Sequence, residues 1–487
     1  MYLAFLTRRL RTAALVAAVS LLVLLSAAHP AAAAPLDPTL ALPQLQAMLQ
    51  ASLTGAVDGY FKTAVKGATI ATVPCTVLGV VPQAAVDNGD LIMFRAAGPV
   101  IEEAGGIAAG MSGSPLYVND GGEDLLVGAV SYGEYFTSNG LGLATPIEHM
   151  MELESALDAD PLAARLARTV TLAEPLETGE ATIDSVVVAP TSRAARGARR
   201  GDGTVVVRSL SALMVSGLPT DTAAYRALKN DFADRGIELR GGFAAGAVGE
   251  EPGFETPLVP GSSVGMLHMR GDYWYGGIGT TTYTTAVDGG ALVGFGHPME
   301  YDGRLSAFMT NADVIGLWNN ADEPHKVLAP GAVRGEITVD SGAGIAGLIG
   351  DGPASVPFVC TATNAATPLF EDRADLFKGK TIVGIGSYRP DMREYPDAIF
   401  KAVSAVFIDT EHAFDETGDL LEPLRSGVVR REGIRTLGSL LTDRMAASST
   451  GSGAFFKSVG FSAFDLYVAK YLFHRGVQSG KGTDLAL

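Results

Sequence analysis

The stretch that most constrains this chain runs from Gly105 to Pro115, Gly-Gly-Ile-Ala-Ala-Gly-Met-Ser-Gly-Ser-Pro. Glycine adopts backbone angles that a Cβ forbids, so a Gly-Met-Ser-Gly turn can hold the Ser112 hydroxyl outward. The same turn can aim the N–H groups of Gly110 and Ser112 at one point, an oxyanion hole for a carbonyl under attack. Taken alone, Gly-x-Ser-Gly reads more readily as a glycine-rich hairpin with two incidental serines. Two further stretches favour chemistry. Leu126 to Gly133 reads as a buried strand ending in Ser131-Tyr132-Gly133, and Gly294-Phe295-Gly296-His297-Pro298 sets a histidine beside glycines.

Around the serine turn the apolar runs are short and separated by clusters such as Asp87-Asn88-Gly89-Asp90. This spacing predicts a β-barrel over residues 58–160. A second set of runs, Val264 to Met269, Tyr273 to Tyr283, Ala291 to Phe295, Ala332 to Asp340 and Ala343 to Ile349, predicts another over 263–360. Between them, 161–262 reads as a linker and small α/β insertion. It has an amphipathic helix at Asp221 to Arg235 and an arginine-bearing solvated loop at Ser192 to Arg200. A leader helix is expected within 35–57 and a short helix at Pro146 to Ala156. Residues 361–487 read as mixed and mostly helical, at Asp397 to Ile408, Glu432 to Met445 and Phe461 to Phe473. The fold class is therefore mainly β with α/β additions and a partly helical C-terminal region.

Residues 1–34 carry Arg8, Arg9 and Arg11, then an apolar run and Ala31-Ala32-Ala33, the pattern of a signal peptide. Export to an extracellular or periplasmic location is expected, with no transmembrane segment after its removal. The net charge of −17 argues against nucleic acid as a partner. Cys75 and Cys360 could pair or remain two buried thiols. The seven histidines show no metal-ligand spacing, so neither metal nor cofactor is expected.

The serine and histidine segments closely resemble those of SpoIVB-type serine peptidases, relatives of the chymotrypsin-like double β-barrel. The resemblance covers roughly Gly59 to Ser155 and Pro260 to Gly350. It implies a serine endopeptidase acting on protein or peptide, with Ser112 as nucleophile, His297 as general base and Gly110 with Ser112 as the oxyanion hole. Ser131, Tyr132, Gly133 and Gly106 would hold an extended peptide by strand addition. Ser112 precedes His297, the reverse of the family order, so the two barrels are expected to be permuted. The family's acid does not carry over, because no Asp stands near Gly98-Pro99. Asp340, 43 residues after His297 (340 − 297), takes its place, with Asp302 and Asp313 as rivals. A first-subsite pocket of Gly105, Gly106, Ile107, Gly133 and Gly140 to Leu143 lacks a charge, which predicts cleavage after apolar residues. The alternative is a non-catalytic peptide-binding protein on the same scaffold. An α/β-hydrolase esterase is disfavoured, because Gly110 to Ser114 lacks the second glycine of Gly-x-Ser-x-Gly.

Overall fold

The computed structural model describes residues 35–137, 139–153, 166–178, 181–198, 201–211, 213–234, 237–241, 257–271, 273–286, 290–320, 323–353, 358–442, 453–460 and 470. The chain forms two compact units, Met1–Pro353 and Ala354–Leu487.

The first unit is mainly β. Its first sheet holds β1 (Val57–Lys66), β2 (Thr69–Val81), β3 (Leu91–Ala96), β4 (Pro115–Asp120), β5 (Glu123–Glu134), β6 (Leu141–Pro146), β7 (Arg168–Glu177), β8 (Thr182–Ala189) and β9 (Thr204–Ser209). The order is β4-β1-β2-β3-β6-β5-β9-β8-β7, and β4 also pairs with β5, so six strands close into an antiparallel barrel. Strand β2 shows why: Val73, Cys75, Val77 and Val81 alternate inward, the period of two that a barrel wall needs. Phe61 and Phe94 meet edge to face in its core.

The second sheet holds β10 (Leu213–Ser216), β11 (Leu239–Gly241), β12 (Ser263–Met269), β13 (Trp274–Thr284), β14 (Ala291–Gly294), β15 (Gly303–Trp318), β16 (His325–Ser341) and β17 (Gly344–Ile349). Its order is β11-β10-β13-β12-β15-β16-β17-β14, and a β13–β14 pairing closes a second ring of six. The long β15–β16 hairpin carries four register shifts. Those bulges break the apolar alternation of β15, which hides that strand in the sequence.

The residues between the barrels divide between the two sheets. Strands β7 to β9 extend the first, with β8 and β9 parallel. Ser192–Gly197, expected as a solvated loop, is a helix whose Thr191 side chain accepts from the Ala194 N–H. The helix Ala223–Asp234 matches the amphipathic pattern and buries Tyr225 and Phe232 against Leu213, Val215 and Leu239 of the second sheet. The leader helix is Leu42–Ala51, burying Leu42, Leu45 and Leu49. The short helix after the first barrel is Ile147–Met151.

The second unit differs from the expected mostly helical region. Strands β18 (Phe358–Thr361), β19 (Thr381–Gly384), β20 (Ala405–Ile408), β21 (Ile434–Thr436) and β22 (Ala454–Lys457) form a wholly parallel sheet in the order β18-β19-β22-β20-β21. Asp397 to Ile408, expected as one helix, is a five-residue helix, Ala398–Ala402, followed by β20. Glu432 to Met445 is divided in the same way, into β21 and the helix Leu437–Thr442. The signal-peptide residues 1–34 and all but residue 470 of the expected helix at 461–473 lie outside the described residues. Among the described residues no helix is long and apolar enough to cross a membrane. Both thiols are free; Cys75 is buried and Cys360 exposed.

Candidate functional site

The loop Gly105–Pro115 begins as a helix end. Gly105 takes a left-handed conformation (φ 75°) after the helix Pro99–Ala104, and the Gly106 N–H donates to Ile101 O at 2.9 Å. That six-to-one bond is a helix cap, so Gly106 closes a helix. Farther along, the loop is stitched to the second barrel. The Thr280 hydroxyl donates to Gly110 O (2.9 Å), the Thr280 N–H to Ser112 O (2.7 Å) and the Thr282 hydroxyl to Gly113 O (2.8 Å). A Cβ at Gly113 would lie 2.0 Å from Thr280 O and 2.4 Å from the Phe295 N–H nitrogen. The structure thus brings the serine turn against the strand that leads to His297.

Neither hydrogen bond expected of the triad is formed. Ser112 is 2% exposed, not presented outward. His297 is fully buried, its Nδ1 lies 2.8 Å from Pro298 O, and its Nε2 makes no hydrogen bond. Burial pushes the imidazole down to about 4, with the Pro298 carbonyl opposing. Asp340 faces elsewhere. Its carboxylate accepts the N–H groups of Met299, Glu300 and Tyr301 at 2.8 Å and of Asp302 at 3.4 Å. It braces the turn after His297, and the position an orienting acid would need is held by a backbone carbonyl. Burial raises Asp340 to about 6 against the lowering effect of those N–H groups. Of its two rivals, Asp302 belongs to that same turn and Asp313 pairs with Ala329 on the β15–β16 hairpin.

The expected peptide-binding strand is also occupied. On one side of β5, Tyr132 and Gly133 pair with Leu143 and Gly142; on the other, Tyr132 and Gly133 pair with Ser209 and Arg208 of β9. No free edge remains there for strand addition. The Ser131 hydroxyl donates to Ala129 O (2.8 Å) and contacts the Thr145 hydroxyl (2.9 Å), which donates to Gly296 O (2.5 Å). Ser131 therefore holds the histidine segment. The apolar subsite is filled as well: a Cβ at Gly142 would meet Ile107 Cδ1 at 2.5 Å, and one at Gly133 would meet Ile107 Cβ at 3.2 Å.

What the first unit does offer is a cleft lined among others by Tyr132, Arg168, Ser209, Glu238, Glu300 and Tyr301. Glu238 belongs to a buried cluster with Glu323, Arg208 and Arg240. Burial and the hydrogen bond to Glu323 push Glu238 up. Against its own burial, Glu323 is held down by Glu238 and by Arg240, 3.3 Å away. Lys326 is a second buried group. Its backbone N–H donates to Ala109 O (2.9 Å) and its Nζ to the Thr63 hydroxyl (2.8 Å), and burial pushes it down to about 7.

In the second unit the polar groups gather at the carboxyl ends of the parallel strands, the side at which open α/β sheets bind ligands. After β19, the Gly386 and Ser387 N–H groups donate to Glu394 Oε2 at 3.0 and 3.3 Å, and the Thr361 hydroxyl at the end of β18 donates there at 2.9 Å. After β22, the Val459 and Gly460 N–H groups both donate to Asp409 Oδ2 at 3.0 Å. Lys457, fully buried, lies 3.5 Å from Asp419 and donates to Gly384 O. Burial lowers Lys457 and raises Asp419, each against the pull of the other. Sequence reading missed this network. Most of its members lie in loops that follow strands of four residues, too short to show a period.

No protein-family model matches the chain. Most of the curated relatives found are Delta(1)-pyrroline-2-carboxylate reductases. A Delta(1)-pyrroline-2-carboxylate reductase of Bacillus thuringiensis subsp. konkukian is 38% identical over 130 residues, 26% of this chain and 39% of that protein. One from Colwellia psychrerythraea is 30% identical over 191 residues, 37% of this chain and 56% of that protein. The chain thus spans about two fifths of the length of the first of these relatives. Among solved structures, the Thermococcus litoralis enzyme of the same name matches with 22% identity, 26% of this chain, 40% of that chain and a TM-score of 0.24. That score is too low to bear on the fold.

These relatives overturn the expectation of a SpoIVB-type serine endopeptidase, and with it the peptide-binding alternative. Locally, His297 without an acid, the occupied edges of β5 and the filled subsite point the same way.

Proposed function

We propose that the chain serves nicotinamide-dependent reduction of a small cyclic imino acid. The observation behind this reading is the 38% identity over 130 residues to a Delta(1)-pyrroline-2-carboxylate reductase. Reduction of a C=N bond needs a hydride and a proton, and a nicotinamide supplies the hydride.

The described residues do not fit a complete dinucleotide site. Such a site needs a glycine-rich turn between a strand and a helix. The chain's Gly342-Ala-Gly344-Ile-Ala-Gly347 has the right spacing, but it lies in the β16–β17 hairpin and opens no helix. In the second unit, the strand-end N–H groups after β19 and β22 already bind the carboxylates of Glu394 and Asp409. A phosphate would have to displace them, so no hydride step is assigned to particular residues.

The test is turnover. The purified full chain, mixed with Delta(1)-pyrroline-2-carboxylate and NADH or NADPH, is expected to consume the reduced nicotinamide only when the imino acid is present. Folded protein that leaves the nicotinamide absorbance unchanged would overturn the reading.

A further inference from the structure

The turn braced by Asp340 carries a cluster that the proposed reduction does not use. His268 is on β12, and Glu300 and Asp302 follow β14. Their ligand atoms lie within 4.8 Å of one another, the group of this kind among the described residues. His268 Nε2 is 3.2 Å from Glu300 Oε1 and 3.8 Å from Asp302 Oδ2. We propose that His268, Glu300 and Asp302 form a binding site for a divalent transition-metal ion such as Zn²⁺ at the edge of the cleft.

Three features carry this. The first is spacing. Zn–N and Zn–O bonds of about 2.0–2.1 Å place neighbouring ligands of a tetrahedral ion roughly 3.3 Å apart. The two measured separations lie on either side of that value, so the ligands need only small side-chain rotations to close on an ion. The second is the placement of the imidazole. His268 Nε2 is buried and turned toward both carboxylates, so the nitrogen that would ligate an ion already faces the acidic pair.

The third is support from outside the ligand set. The Asp340 carboxylate takes the N–H groups of Met299 to Asp302 and so fixes the backbone that carries both acidic ligands. The Tyr275 hydroxyl donates to Glu300 Oε1, and the Tyr275 ring stacks on His268 with centroids 5.5 Å apart and planes at 26°. Outer groups that orient ligands in this way are a regular part of metal sites. One imidazole with two carboxylates suits Zn²⁺, Mn²⁺ or Fe²⁺ better than Ca²⁺, which prefers six to eight oxygens. Glu300 also lines the cleft, so a remaining coordination position would be open to a small ligand from that side.

Calorimetric titration of chelator-treated full chain with Zn²⁺ tests the site. The expected result is one ion per chain, with affinity lowered more than about tenfold in His268→Gln and in Asp302→Asn. Thermal unfolding identifies any variant that fails to fold. Co²⁺ gives a second readout on the unmodified chain: visible absorption of a four- or five-coordinate ion, absent in the His268→Gln protein. Zn²⁺ binding unchanged by both substitutions, no stoichiometric binding, or a Co²⁺ spectrum of the hydrated ion would each overturn the proposal. None of these readouts depends on reductase turnover.

Discussion

Asp340 shows how burial and hydrogen bonding decide a residue's role. A carboxylate surrounded by four backbone N–H groups is committed to a turn and has little left for an imidazole. Asp340→Asn keeps one oxygen acceptor and turns an NH₂ toward buried donors. Each donor left unpaired costs about 1–3 kcal/mol, so urea unfolding should show a loss of several kcal/mol. Stability equal to that of the parent chain would remove the brace from the account. Lys326 gives a pH signature. Burial lowers it from 10.5 to about 7. Between those pH values the unfolded chain holds a proton that the folded chain has released, so this residue's penalty shrinks as pH rises. Lys326→Met should gain stability relative to the parent at pH 7, and the difference should narrow toward pH 10.5. A difference that stays constant over the window would show that Lys326 is not held in this way.

At the scale of elements, the serine loop is a seam between two sheets. Gly113 has φ 88°, and its absent Cβ is where Thr280 O and the backbone of Phe295 approach. Gly113→Ala should therefore lower the melting temperature sharply. Gly121, at φ 61° with nothing within 4 Å, isolates the cost of the backbone angle alone. Equal losses from Gly113→Ala and Gly121→Ala would mean that the seam carries no packing load. These elements also show what was legible in the sequence. Glycines at 105, 110 and 113 mark real turns, Val73 to Val81 alternates as a strand must, and the 223–234 helix shows its apolar face. The pairing of β9 with β5 could not be read, because it joins residues some 75 positions apart (Tyr132 with Ser209, 209 − 132 = 77). Nor could the role of Asp340, since its partners are backbone groups 38 to 41 residues away. The parallel sheet escaped because strands of four residues beside five-residue helices blur into one apolar run.

At the scale of the molecule, a mainly β unit and a parallel α/β unit share one chain, and most of the curated relatives found are Delta(1)-pyrroline-2-carboxylate reductases. Glu394 and Asp409 make the second unit self-satisfied at its strand ends. The most direct test of the reductase reading follows the hydrogen itself. Full chain is incubated with Delta(1)-pyrroline-2-carboxylate and NADH or NADPH deuterated at the nicotinamide C4, and the product is analysed by mass spectrometry. The account predicts proline carrying one deuterium at Cα, formed in proportion to the nicotinamide oxidised. Proline absent, or formed without deuterium from either C4 position of either nucleotide, would contradict it.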